Sequence, residues 1–179
     1  MFKRKNPLSL SQSLSSIFWP KMGWKRMGRY AQLRLIRLKG NTYSIASGFA
    51  FGAAISFTPL PGIHLLGAAG FSYLTRGNIL ASVVGTLVGN PWTLPLMWWT
   101  SYKMGNYAFS LFGTEISAMP EKFTWDYLVN EITNRPMDLI IPWIVGGIIM
   151  MVLSWPIFYV ITYRMVAKLR QKYQRHNHK

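Results

Sequence analysis

Residues 139–163 read LIIPWIVGGIIMMVLSWPIFYVITY and contain no Asp, Glu, Lys or Arg. Two further runs, 40–75 and 77–102, also lack these four residue types. A helix needs about 20 mostly apolar residues to cross the hydrocarbon core of a bilayer, so each run is long enough to form one. The three runs therefore predict an all-α, polytopic integral membrane protein. Runs 40–75 and 77–102 together are long enough for three segments and 139–163 for one, so we expect about four membrane-embedded segments.

The charged residues predict the orientation of the chain. Twenty Lys and Arg face only five Asp and Glu, and 16 of the basic residues lie in 1–39 and 164–179, where there is no acid. All five acids lie in 105–138. Because Lys and Arg are enriched in cytoplasmic segments, we expect both termini in the cytoplasm and residues 105–138 outside. A soluble nucleic-acid binder would share the net charge of +15 but has no use for such apolar runs.

The charge boundaries also suggest a domain organisation. We predict a basic polar tail at 1–23, a single helical membrane domain at 24–165 that includes the outer loop 105–138, and a basic tail at 166–179. Within the domain we expect helices near 42–58, 62–75 and 78–104, and one crossing within 139–163. The second is short, since 14 residues rise only about 21 Å. The sequence allows two possibilities for 62–75 and 90–104: each segment crosses the membrane fully, or it is re-entrant.

An internal repeat links the first two runs. Gly40-Asn41, Gly48 and Gly52 recur at a constant offset as Gly77-Asn78, Gly85 and Gly89. Asn is a preferred helix N-cap, because its side-chain oxygen accepts from free backbone N–H groups of the first turn. The Gly-x-x-x-Gly spacing removes side chains from one helix face and lets another backbone approach closely in lipid. The repeat predicts two capped helices with closely packed faces.

Each copy of the repeat then meets a proline cluster, FTPLPG at 57–62 and NPWTLP at 90–95. One interpretation is two ordinary helices that end or kink at proline. The other is a pair of broken helices that meet inside the membrane, where irregular backbone persists only if it is buried or lines a polar cavity. In that case the candidate substrate-binding residues are Pro59, Pro61, Gly62, His64, Asn90, Pro91, Trp92, Thr93 and Pro95.

Residues 24–38 have the pattern of a basic amphipathic helix. Their apolar positions share one face: Trp24, Met27, Ala31, Leu35 and Leu38. Such a helix lies on an anionic leaflet with its apolar face down, either as a topology signal alone or as a binder of specific phosphate headgroups. The residues that we expect to attract a phosphate headgroup are Arg34, Arg37, Lys39 and Arg76.

The segments SIASGFAFGAAISFTPLPGIHLL and GTLVGNPWTLPLMWWTSYKMG, with RGNILAS between them, resemble a bacterial membrane family known as domain of unknown function 2062. The resemblance covers roughly residues 25–165, and the FTPLPG and GNPWT blocks are its most specific parts. It implies a small α-helical protein of the bacterial inner membrane with no assigned activity. Some relatives carry this domain fused to a glycosyltransferase that would use a polyprenyl-phosphate carrier.

These observations support one functional hypothesis and two alternatives. The first is an inner-membrane protein that binds or translocates an anionic amphiphile, such as a lipid-linked envelope precursor. The alternatives are a non-transporting scaffold or accessory subunit for an envelope enzyme such as a glycosyltransferase, and a small-ion or proton-coupled transporter centred on His64. Enzyme motifs are missing, so we expect no catalysis, no cofactor and no metal site. The expected partners are anionic lipid headgroups, with a further copy of the chain or a membrane protein as an option, and no nucleic acid.

Overall fold

The computed structural model describes residues 24–59, 62–113, 133–134 and 136–177. Within these ranges the longer elements are all helices and there is no strand, which confirms the all-α prediction. The helices are α1 (Trp24–Arg37), α2 (Thr42–Ile55), α3 (Ile63–Leu74), α4 (Ile79–Gly85, extended by a 3₁₀ turn at Thr86–Val88), α5 (Leu94–Leu111) and α6 (Pro136–Asn177). The predicted tail at 1–23 and most of the predicted outer loop lie outside the described residues.

Among the described helices, α6 is long and apolar enough to cross a membrane, by length and composition, over Pro136–Lys172. Three shorter apolar helices cover Thr42–Ile55, Ile63–Leu74 and Ile79–Val88. The first two agree with the predicted helices to within three residues. The helix predicted near 78–104 is interrupted at the second proline cluster, where the sequence predicted a helix end, a kink or a break. The chain leaves the helix at Gly89 and re-enters it at Leu94, because Pro91 cannot donate a backbone hydrogen bond there.

The helices pack along the length of α6. Helix α2 runs antiparallel to the C-terminal half of α6: Tyr43 packs edge-on against Tyr159, with ring centroids 6.0 Å apart. Helix α5 packs antiparallel on the N-terminal half, where a Cβ built on Gly105 would lie on the carbonyl oxygen of Pro142. The sequence predicted a basic tail from residue 166 to residue 179. In the structure α6 does not end at residue 165 but continues as one helix to Asn177.

The two repeat copies pack against each other. The side chain of Asn41 accepts from Ser44 N at 2.7 Å, and that of Asn78 accepts from Ala81 N at 2.9 Å, so both predicted N-caps are confirmed. Helices α2 and α4 run parallel, and a Cβ built on Gly52 would lie 2.0 Å from Ser82 O. The predicted close approach is therefore present, and its partner is the other copy of the repeat.

Helix α1 is anchored on this bundle. Its Leu35 is 1% exposed and packs with Ile45, Ala81 and Val166 from α2, α4 and α6. The predicted amphipathic helix is therefore observed, but at Leu35 its apolar face contacts protein, because α2, α4 and α6 leave an apolar gap there. The side chains of Trp24 and Met27, which belong to the predicted apolar face, lie outside the described part of the chain.

Candidate functional site

The second proline cluster forms a compact turn between α4 and α5. Asn90 Oδ1 accepts hydrogen bonds from the backbone N–H groups of Trp92 (3.0 Å) and Thr93 (3.1 Å). Thr93 Oγ1 accepts from Asn90 N at 3.0 Å and donates to Val88 O. The two side chains thus satisfy backbone groups freed by the helix break around Pro91. In this arrangement they build the turn.

The first proline cluster also uses its polar side chains locally. Thr58 Oγ1 donates to Ile55 O at 2.7 Å, and Ser56 Oγ donates to Gly52 O at 3.2 Å. Gly62 has a φ of +86°, a left-handed conformation that favours glycine. Its N–H donates to Nδ1 of His64 at 3.1 Å. His64 therefore supports the start of α3. Pro61 lies outside the described residues.

The two breaks lie side by side. A Cβ built on Gly89 would lie 2.6 Å from Ser56 Oγ, so the ends of α2 and α4 are in direct contact. Ser101 Oγ of α5 donates to Phe57 O at 2.9 Å. A Cβ built on Gly147 of α6 would lie 3.0 Å from the same carbonyl oxygen. Four helices therefore meet at the two breaks, so the breaks lie together, as the second interpretation of the proline clusters predicts.

A cavity of about 920 Å³ opens beside the second break, between α5 and α6. Of the predicted binding residues, Pro91, Trp92 and Pro95 line it. Pro59, Gly62, His64, Asn90 and Thr93 are not among its lining residues. The residues that sequence reasoning missed are Leu94, Leu96, Trp98, Trp99, Tyr102, Leu139 and Trp143. We call this space the aromatic cavity.

The walls of the aromatic cavity are apolar, with a cation nearby. The rings of Trp98 and Trp143 meet edge to face with centroids 5.3 Å apart. Their indole Nε1 atoms are buried and have no hydrogen-bond partner among the described residues. Lys103 Nζ lies 3.9 Å from the centroid of the Trp99 ring, within the range of a cation–π interaction. Apolar walls of this kind can hold a hydrocarbon chain. The ammonium group of Lys103 can attract an anionic group at one end of that hydrocarbon chain.

The predicted phosphate-attracting residues lie elsewhere. Lys39 and Arg76 are exposed and near each other, since Asn78 Nδ2 donates to Lys39 O at 2.8 Å. Arg37 and Arg34 precede them on α1, where they are exposed too. This basic end is separated from the proline breaks by the length of α2, 14 residues or about 21 Å. The two predicted groups of residues therefore lie in two separate regions of the structure.

One basic residue at this end has a structural role that the sequence did not predict. The guanidinium group of Arg170 donates to Gly40 O at 2.8 Å and to Leu38 O at 3.0 Å. It bridges α6 to the segment between α1 and α2. A basic residue in a charged tail carries no sequence signal for such a bond.

Comparisons with known proteins found a match at the level of the family. No curated protein and no solved structure matches the chain. A family model described as an uncharacterised protein conserved in bacteria, DUF2062, matches residues 25–175, from the first turn of α1 almost to the end of α6. The chain therefore belongs to this uncharacterised bacterial family, domain of unknown function 2062.

Proposed function

We propose that this chain is a polytopic inner-membrane protein that binds an anionic amphiphile, such as a lipid-linked envelope precursor, in the aromatic cavity. The observation that carries the proposal is the cavity itself, about 920 Å³ in volume and walled by Trp, Pro and Leu side chains. This volume lies in the range of about 300–1,000 Å³ that is typical of small-molecule sites. The hydrocarbon chain occupies the cavity, and Lys103 attracts the anionic group.

Lengths along α6 support the membrane placement that we propose. Phe57, at the end of α2, faces Gly147. Gly147 is about 14 Å from Asp138 and about 26 Å from Arg164, at 1.5 Å per residue. These two charges bracket the apolar part of α6, so the proline breaks fall inside the bilayer. In this arrangement α2 and α3 form a re-entrant hairpin, α4 and α5 form one broken crossing, α6 forms another, and both termini are cytoplasmic.

The glycine contacts weigh against the scaffold alternative. That alternative assigns the small-residue faces to a partner protein, as in helix dimers in membranes. Gly48, Gly52 and Gly85 instead face backbone atoms of the opposite repeat copy, and Gly105 and Gly146 face the α5–α6 crossing. The ion-transport alternative also loses support, since Nδ1 of His64 is used by the turn before α3. The proposal includes no catalytic step.

A cavity-filling variant tests the proposal. Leu96 lines the cavity and is 62% exposed, so Leu96→Trp should fill the space without disturbing the core. Leu66→Trp is the matched control, because Leu66 on α3 is 74% exposed and is not a lining residue. The measurement is binding of a single-chain alkyl phosphate to the purified full-length protein, by native mass spectrometry from detergent. Leu96→Trp should weaken binding about tenfold or more, which corresponds to about 1.4 kcal/mol, and Leu66→Trp should leave it unchanged.

A separate variant, Lys103→Gln, tests the preference for an anionic headgroup. An alkyl glycoside of the same chain length should bind more weakly than the alkyl phosphate, and Lys103→Gln should remove the difference. Equal affinities in the Leu96→Trp and Leu66→Trp proteins would refute binding in the aromatic cavity. The scaffold alternative would then be the better hypothesis.

A further inference from the structure

A second, smaller groove separates α1 from α4 at the basic end of the molecule. Its volume is about 270 Å³. Helix α1 contributes Tyr30 and Arg34 to the lining, and Leu38 follows just after its end. The α4 side contributes Leu80, Val83 and Leu87. One wall therefore carries an arginine, and the other is entirely apolar. The groove is separate from the aromatic cavity, with which it shares no lining residue.

The α1 wall presents an oriented cation. Arg34 Nη1 donates to the hydroxyl of Tyr30, one turn earlier, at 3.1 Å. This bond uses one of the five guanidinium donors, and the remaining fork suits bidentate contact with a phosphate group. The first acid of the chain is Glu115, so neither α1 nor α4 carries a carboxylate that could pair with Arg34. The electrostatics of the groove therefore favour an anion.

The α4 wall presents a stripe of apolar side chains. Leu80, Val83 and Leu87 are 64%, 42% and 52% exposed, and their spacing of three and four residues places them on one face. The stripe begins two residues after the N-cap Asn78, beside the basic end, and runs toward the proline break at Asn90. In the membrane placement proposed above, this direction leads from the cytoplasmic headgroups into the hydrocarbon core.

Arg34 precedes Leu35, which packs with Ala81 in the first turn of α4, so the arginine lies near the start of the apolar stripe. A cation beside the start of an apolar stripe matches the shape and charge of a lipid. We propose that this groove binds one anionic phospholipid of the cytoplasmic leaflet, with its phosphate on Arg34 and one acyl chain along Leu80, Val83 and Leu87. The inference rests on the membrane placement in the proposed function, but not on ligand binding in the aromatic cavity. The bound lipid bridges α1 and α4. It adds to the anchorage of α1, whose single buried side chain within the described residues is Leu35.

The test compares two arginines of α1 in the full-length protein purified in a nonionic detergent. Native mass spectrometry would measure the affinity for phosphatidylglycerol and for phosphatidylcholine with the same acyl chains. Arg34→Gln should weaken phosphatidylglycerol binding about tenfold, as expected for loss of a hydrogen bond to a charged group. Arg29→Gln is the matched control, because Arg29 is exposed on the same helix but does not line the groove. It should change the affinity much less.

Further measurements distinguish binding of the acyl chain from binding of the headgroup. Val83→Trp, which fills the apolar wall, should also lower phosphatidylglycerol affinity, with circular dichroism confirming that the helices persist. Millimolar glycerol phosphate should fail to displace the lipid. Equal losses in the two arginine variants, equal affinity for phosphatidylcholine, or full displacement by glycerol phosphate would each overturn the proposal. Leu96→Trp should leave phosphatidylglycerol binding unchanged, so a failed aromatic-cavity experiment does not decide this one.

Discussion

A single methyl group at Gly52 should push α2 and α4 apart. The Cβ of an alanine there would lie 2.0 Å from Ser82 O, and an ordinary contact needs at least 3.4 Å. The helices must therefore separate by about 1.4 Å, and neither backbone can swing away as a side chain could. Overpacking of this kind costs about 3 kcal/mol, and the better helix propensity of alanine returns about 1 kcal/mol. We expect Gly52→Ala to lower the free energy of unfolding by about 2 kcal/mol.

The measurement is the apparent melting temperature in detergent at a fixed scan rate. For a chain of this size about 2 kcal/mol corresponds to a decrease of roughly 4–8 °C. Gly70→Ala is the matched control. Gly70 also lies within a helix, but a Cβ built on it has no atom within 4 Å. It should gain about 1 kcal/mol from helix propensity and melt slightly higher. The same melting shift in both variants would refute the close crossing of the two repeat copies.

Two further predictions concern the turn and the topology. Asn90→Ala should lower the melting temperature more than Asn90→Asp, because aspartate keeps an oxygen that can accept from the N–H groups of Trp92 and Thr93; equal melting temperatures would show that these bonds add no stability. Because the chain has no native cysteine, single cysteines can be labelled with an impermeant reagent in intact cells. Ser117→Cys should be labelled, whereas Ser15→Cys and Gln171→Cys should not, and the reverse pattern would contradict the proposed orientation.

Local signals in the sequence predicted the starts and breaks of the helices. Asn41 and Asn78 act as N-caps through contacts with residues three positions later, which a pattern can specify. The proline cluster at 90–95 predicted that the helical segment near 78–104 ends, kinks or breaks there, and the structure shows the interruption. The bounds of α2 and α3 followed from the same signals. These features depend on neighbours in the chain, so one sequence contains enough information to find them.

Such local signals do not predict which helices pack against one another. The Gly-x-x-x-Gly spacing predicts a close approach but does not say which backbone approaches. The aromatic cavity needs Leu139 and Trp143 from α6, more than 40 residues after Trp92 in the chain. The separation of the basic end from the proline breaks followed only from the direction of α2. Each of these depends on how helices align with one another.

The parallel course of α2 and α4 determines the electrostatics of the proline breaks. Both helices bring their carbonyl ends, which carry partial negative charge, to the same level. Helices α3 and α5 begin there with their amide ends, which carry partial positive charge. Because each carbonyl end is followed within eight residues by an amide end, the backbone dipoles largely compensate one another. The junction can therefore lie within a medium of low dielectric constant without a counter-ion, and any preference for a charged ligand must come from side chains.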